Sequence, residues 1–193
     1  MSKETLNNTF QNKIKGLLKN NLKKLIIFLV FLILILFSYF FYVDFKKKDE
    51  IKISEQYILA TIQFEKKNII TSYKLLKNVI DKKHKFYSPL ALYFIIDNDL
   101  EKDSLKIIND FNKILLIKSI EDENLNLIKI KKAIFLFESG DEESIIKTLN
   151  PIINSDSVWR KMAIGLISDY FLSSGQKDKA KEYIQLLNNN MSK

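Results

Sequence analysis

The sequence predicts an all-α chain: one long apolar helix followed by about four helix hairpins. Three observations carry that expectation. Leu25–Val43, LIIFLVFLILILFSYFFYV, is a run of 19 residues without a charge. Glycine and proline are rare, four and two among 193 residues, which leaves room for long regular elements. Beyond the run, apolar residues return at helical spacing in segment after segment.

The apolar run comes first. At a rise of ~1.5 Å per residue it reaches roughly 28 Å, close to the ~30 Å hydrocarbon core of a bilayer. Ser38, Tyr39 and Tyr42 supply its only polar groups, and both tyrosines lie near its far end, where aromatic rings favour headgroups. Lys23 and Lys24 close one end; Asp44, Lys46, Lys47 and Lys48 close the other. A core helix of a soluble protein would show a polar face, and this run has none. A cleaved signal would have a shorter apolar region, ~7–15 residues, followed by small residues. Phe40, Phe41, Tyr42 and Val43 are a poor cleavage context. Residues 25–43 are therefore expected to stay in a lipid bilayer as a transmembrane helix. Within 15 positions on either side, five lysines precede the run (Lys13, Lys15, Lys19, Lys23, Lys24) and four follow it (Lys46, Lys47, Lys48, Lys52), so the positive-inside rule favours a cytoplasmic N-terminus only slightly.

Residues 1–24 form a basic tail. Six lysines and one glutamate give it +5 of the total +8, leaving +3 for residues 44–193. The excess sits beside the membrane and suits anionic headgroups better than nucleic acid, so no nucleic-acid partner is expected. Within the tail, Thr9–Leu22 places Phe10, Ile14, Leu17 and Leu18 on a narrow apolar face. A surface-lying helix and a disordered basic stop signal fit it equally. There is no cysteine, hence no disulfide and no thiol chemistry.

Residues 44–193 are long enough for one domain with a core. Ile53, Tyr57, Ala60 and Phe64 make the first stripe; Ser72, Leu75, Leu76 and Val79 the second. Ser104, Ile107, Ile108 and Phe111 repeat that spacing, as do Ile130, Ala133, Ile134 and Phe137. Trp159, Met162, Ala163, Leu166, Ile167 and Tyr170 extend it, and Ala180, Tyr183, Ile184 and Leu187 close the series. Short polar breaks at Lys66–Asn68, Asp97–Asp99, Ser139–Asp141 and Ser173–Lys177 divide the stripes. The expected hairpins are 47–66 with 69–82, 89–97 with 100–117, 123–138 with 142–153, and 158–173 with 177–188. Ser88 reads as an N-cap with Pro89 at the first helical position, Gly140 and Gly175 as left-handed helix ends, and Pro151 as a stop or kink. Pro89–Ile96 is apolar nearly all round, so it should be sandwiched or line a groove.

Motifs for chemistry are missing. His84, the only histidine, stands in DKKHKF and reads as a solvated loop residue, without the His or Cys partners a metal needs. The four glycines, Gly16, Gly140, Gly165 and Gly175, are too dispersed for a phosphate loop. Glu121, Asp122 and Glu123 precede a helix, where carboxylates favour the positive end of the dipole. No catalytic, metal or cofactor-binding residue is assigned, no small-molecule substrate is expected, and the chain reads as a non-enzyme whose binding residues stay open.

The last two hairpins carry a resemblance. FESGDEESIIKTL and FLSSGQKDKAKEYIQLL look like tetratricopeptide turns, with Gly140 and Gly175 separated by 35 residues against a family period of ~34. That implies a right-handed, tetratricopeptide-like solenoid over residues 44–193, with an irregular bundle as the alternative. The whole layout is similar to the ancillary SecYEG translocon subunit family, in which a short helical-repeat domain follows one N-terminal anchor. Its alphaproteobacterial branch resembles residues 149–187 most closely, at Leu149, Pro151, Trp159, Arg160, Ala163, Gly175 and Ala180. Asn150 departs from the pattern by separating the leucine from the proline, and residues between Lys82 and Asn124 do not align. The resemblance implies a single-pass protein of the bacterial inner membrane, N-terminus cytoplasmic, repeat domain periplasmic. Its partners would be the Sec translocon, periplasmic chaperones or exported chains. The alternatives are a scaffold for another envelope complex (cell division or respiratory-complex biogenesis), a membrane-bound enzyme, or the same fold facing the cytoplasm.

Overall fold

A computed structural model describes residues 3–138 and 141–188. Among them the chain is all-helical: eight α-helices and no strand. It divides into two compact units, Met1–Ile51 and Lys52–Lys193. The expected turn at Ser139–Gly140 lies outside the described residues, as do the side chains of the proposed Phe10–Leu18 face.

The first unit is helical from Lys3 onward, as the beginning of α1 (Lys3–Glu65). This helix is long and apolar enough to cross a membrane, with a mean hydropathy of 2.9 in its most apolar stretch, none of it buried. Its large apolar side chains from Ile26 to Tyr42 are exposed all round, and Lys48 pairs with Asp44 at 2.8 Å just beyond them.

The second unit opens with the last turns of α1, followed by α2 (Ile69–Asp81), α3 (Tyr87–Asp97), α4 (Ser104–Leu115), α5 (Asp122–Phe137), α6 (Glu142–Ile153), α7 (Arg160–Ser173) and α8 (Lys177–Asn188). From α2 to α8 each helix packs on the next, and α2 also meets α4 and α5 meets α7. The end of α1 meets α3 through aromatic edges, Tyr57 with Phe94 at 6.5 Å and Phe64 with Phe94 at 5.2 Å between ring centroids.

Two apolar clusters form the core. One gathers Ile53, Ala60, Leu76, Leu92, Phe111 and their neighbours; the other Leu136, Ile145, Leu149, Ile164, Phe171 and Ala180. α5 serves both, giving Ile128 to the first and Ile130, Ala133 and Leu136 to the second. That double duty is why α5 is apolar on more than one face, whereas α2, α4, α6 and α8 each have a single apolar stripe. α3 is sandwiched as expected, burying Ala91, Leu92 and Ile95 completely or nearly so.

The helix ends explain the short connections. Gly175 has φ +79°, its N–H donates to Leu172 O at 3.1 Å, and Gln176 N–H donates to Phe171 O at 2.8 Å. These paired bonds close α7 through a left-handed residue just past the helix. The same pairing closes α1 at Lys67 (φ 63°) and α3 at Asp99 (φ 58°), with non-glycine residues in the left-handed position. At the end of α2, Lys83 (φ 52°) takes that position, but the outer bond runs through a hydroxyl. Ser88 Oγ accepts from His84 N–H and donates to Val79 O, both at 2.9 Å.

Five expectations change. Ser88 is not the N-cap of α3: it lies in the first turn, buried, bonded back to α2. His84 is half-buried rather than solvated, and its Nδ1 accepts the N–H groups of Phe86 (3.2 Å) and Tyr87 (3.1 Å), which would otherwise be orphaned at the start of α3. α4 spans 104–115 instead of 100–117, because Asp103 caps it by accepting from Leu105 N–H at 2.9 Å. Pro151 does not stop α6, which continues to Ile153. In the last turn proline removes only one carbonyl's partner, that of Lys147, and its ring sits at the surface. Ile134 and Met162, counted with the core stripes, are about half exposed, at 45% and 46%.

Candidate functional site

A cleft opens between the C-terminal halves of α3 and α5. The six-residue connection 116–121 between α4 and α5 is held to the first core cluster by Ile117 and Ile120. α3 contributes Tyr93, Ile96 and Asp97, and α5 contributes Lys131, Ile134, Phe135 and Glu138. Within each helix these residues recur at three- and four-residue steps, so they share one face. Phe111 of α4, fully buried, forms the floor.

The cleft holds about 180 Å³, room for one large apolar side chain. Ile96, Ile134 and Phe135 supply apolar walls; Asp97, Lys131 and Glu138 ring the opening with charge. Lys131 Nζ lies 4.6 Å from the centre of the Tyr93 ring, a cation–π contact that fixes both side chains. Burial pushes the Tyr93 hydroxyl up to about 12, so it remains a neutral donor and acceptor. Apolar walls with a few fixed polar groups suit recognition of a side chain from a partner.

The residues that carried the sequence motifs serve packing. Ala163, Leu149 and Ala180 are fully buried in the second core cluster, and Trp159 packs against it. Arg160 Nε donates to Ile153 O at 2.7 Å and Nη2 reaches Leu186 O at 3.5 Å, tying the start of α7 to the ends of α6 and α8. Asp122 and Glu123 occupy the first turn of α5, where Glu123 Oε2 accepts from Ser157 Oγ at 2.7 Å. Among the described residues no three His, Cys, Asp or Glu side chains gather as a metal would require. Sequence reading did not single out Lys131 or Glu138, counted Ile134 with a core stripe, and placed Tyr93 only within the apolar segment Pro89–Ile96. The available signal was Ile134, an apolar residue followed by a charge one turn later on a helix with too many apolar faces.

No protein family, curated protein or solved structure was found to match the chain.

Proposed function

We propose that this chain is a membrane-anchored protein-binding module, an ancillary subunit of the Sec translocon in a bacterial inner membrane. Residues 25–43 hold it in the bilayer with residues 1–24 in the cytoplasm, and the helical domain engages periplasmic chaperones or exported chains. The observation that carries the reading is the α3–α5 cleft, apolar within and charged at its rim, on a unit whose helices pack in chain order. Stacked helix pairs of this kind offer extended surfaces for peptide segments. Anchoring raises the local concentration of that surface, so weak contacts suffice.

A tetratricopeptide-like repeat is supported by the side-chain bonds between successive pairs. Lys77–Asp110 joins residues 33 apart, Ser157–Glu123 and Gln176–Glu142 residues 34 apart, against a repeat period of ~34. The left-handed turns at Lys67 and Asp99, 32 residues apart, keep nearly the same beat.

In vivo crosslinking of the full-length protein, followed by purification in mild detergent, should recover translocon subunits or exported chains. Ile134→Glu, which places a charge in the cleft, should reduce that recovery while leaving the fold intact. Recovery of cell-division or respiratory-assembly proteins instead would favour the scaffold alternative; recovery of neither would overturn both partner assignments. Protease added to spheroplasts should digest the helical domain, and protection would reverse the topology.

A further inference from the structure

A second cleft, formed by α4, α5 and α6, has a different character. It holds about 400 Å³, and Lys129, Lys132 and Lys147 all line it, with no acidic residue among its lining. Ile108, Leu115 and Pro151 form its apolar parts, and Thr148 contributes a hydroxyl. Two of the lysines bond neutral amides: Lys132 Nζ donates to Asn112 Oδ1 at 2.8 Å and Lys129 Nζ to Asn126 Oδ1 at 3.2 Å. Lys132 is held below the ordinary lysine range, first by burial and then by repulsion from Lys147. Two other half-buried lysines of the unit have carboxylate partners: Lys77 has Asp110 and Lys113 has Asp81. Gathering like charges in a half-buried cleft is unfavourable unless something negative fills it.

We propose that this cleft docks an acidic peptide segment, glutamate- or aspartate-bearing with an apolar residue between the acids, from a protein partner. The inference rests on the reading of the unit as a docking module and adds the chemistry of what docks. Charge complementarity sets the sign. Size and wall chemistry select a peptide: a lone phosphate would occupy a fraction of the cleft and leave Ile108, Leu115 and Pro151 uncovered. Bidentate arginines, the preferred clamp for phosphate, are missing from the lining as well.

The test uses the full-length protein in detergent micelles and a fluorescein-labelled Glu-Leu-Glu-Glu-Leu-Glu peptide, read by anisotropy. Saturable binding that weakens with salt is expected. Lys132→Gln with Lys147→Gln should weaken it at least about tenfold, with unchanged helical ellipticity. Lys74→Glu, an exposed change of equal charge on α2, should leave it near the wild-type value. A charge-neutral Gln-Leu-Gln-Gln-Leu-Gln peptide should not bind. Equal affinity in the double variant would overturn the proposal. Inorganic phosphate or anionic-lipid vesicles binding through Lys132 and Lys147 while the acidic peptide does not would also overturn it. Because no translocon is present, failure here leaves the crosslinking result standing, and a failed crosslink with intact peptide binding removes only the translocon.

Discussion

Replacing Lys67 and Asp99 with glycine should stabilise the protein, because both close a helix in a conformation that penalises a Cβ. A non-glycine residue in the left-handed region costs roughly 1–2 kcal/mol. Glycine returns part of that gain, about 0.5–1 kcal/mol, through its greater freedom in the unfolded chain. The net expectation is about 0.5–1 kcal/mol at each site. Asp99 also loses its ion pair with Lys102, but both side chains are more than 70% exposed and such a pair contributes little. The two turns end different helices, so the gains should add. At roughly 2–4 °C per kcal/mol for a domain of this size, the double variant should melt about 2–8 °C higher. Gly175→Ala supplies the reciprocal measurement. An added Cβ would meet nothing within 4 Å, so its cost, about 1 kcal/mol, is backbone strain alone. The assay is urea unfolding of the full chain in detergent, followed by helical ellipticity and by fluorescence of Trp159, the only tryptophan. Lys67→Ala is the control that should gain nothing. If Lys67→Gly and Lys67→Ala behave alike, or Gly175→Ala is silent, the left-handed account of these helix ends fails.

Other consequences can be checked on the same samples. Asp110 is only 3% exposed and pairs with Lys77 across α2 and α4, with Lys113 Nζ as a second, more distant partner at 3.6 Å, so Lys77→Met should cost about 1–3 kcal/mol by leaving its charge only partly compensated; adding Asp110→Leu should recover much of that in the same urea titration. The hydroxyl of Tyr73, the N–H of Asp103 and the ammonium of Lys106 hold Glu101 at about 2, below its ordinary 4.5. A depressed carboxylate stabilises fully above about 4.5 and loses its contribution as pH falls toward 2, so the stability gap between wild type and Glu101→Gln should be flat at neutral pH and shrink through that acid window. His84→Ala should cost about 1 kcal/mol by removing the acceptor for Phe86 and Tyr87, seen as a lowered urea midpoint; no change would mean that solvent satisfies those groups equally well.

Helix positions were legible because the apolar stripes are long and breakers few. Predicted ends such as 69, 97, 142, 153, 173, 177 and 188 coincide with observed boundaries, and Gly175 takes the left-handed turn expected of it. What sequence missed depends on partners distant in the chain or on side-chain direction. Ser88 and His84 look like a loop cap and a solvated base until α2 and α3 are placed together. Lys67 and Asp99 were obscured because asparagine neighbours, Asn68 and Asn98, are better candidates for a left-handed residue. Neither cleft was visible: Lys129 and Lys132 share a face of α5, but Lys147 joins them only when α6 docks. Tyr93 and Ile96 were anticipated as groove or sandwich residues, though not the α5 residues that meet them.

The chain-order packing of the second unit also bears on how it folds. Its main helix contacts join partners no more than two elements apart, so little of the chain must be gathered before each contact forms. Pairs can therefore consolidate one after another as they are synthesised or emerge from a narrow exit, each serving as template for the next. Vectorial assembly of this kind shortens the time during which unpaired apolar stripes are left open to misassociation.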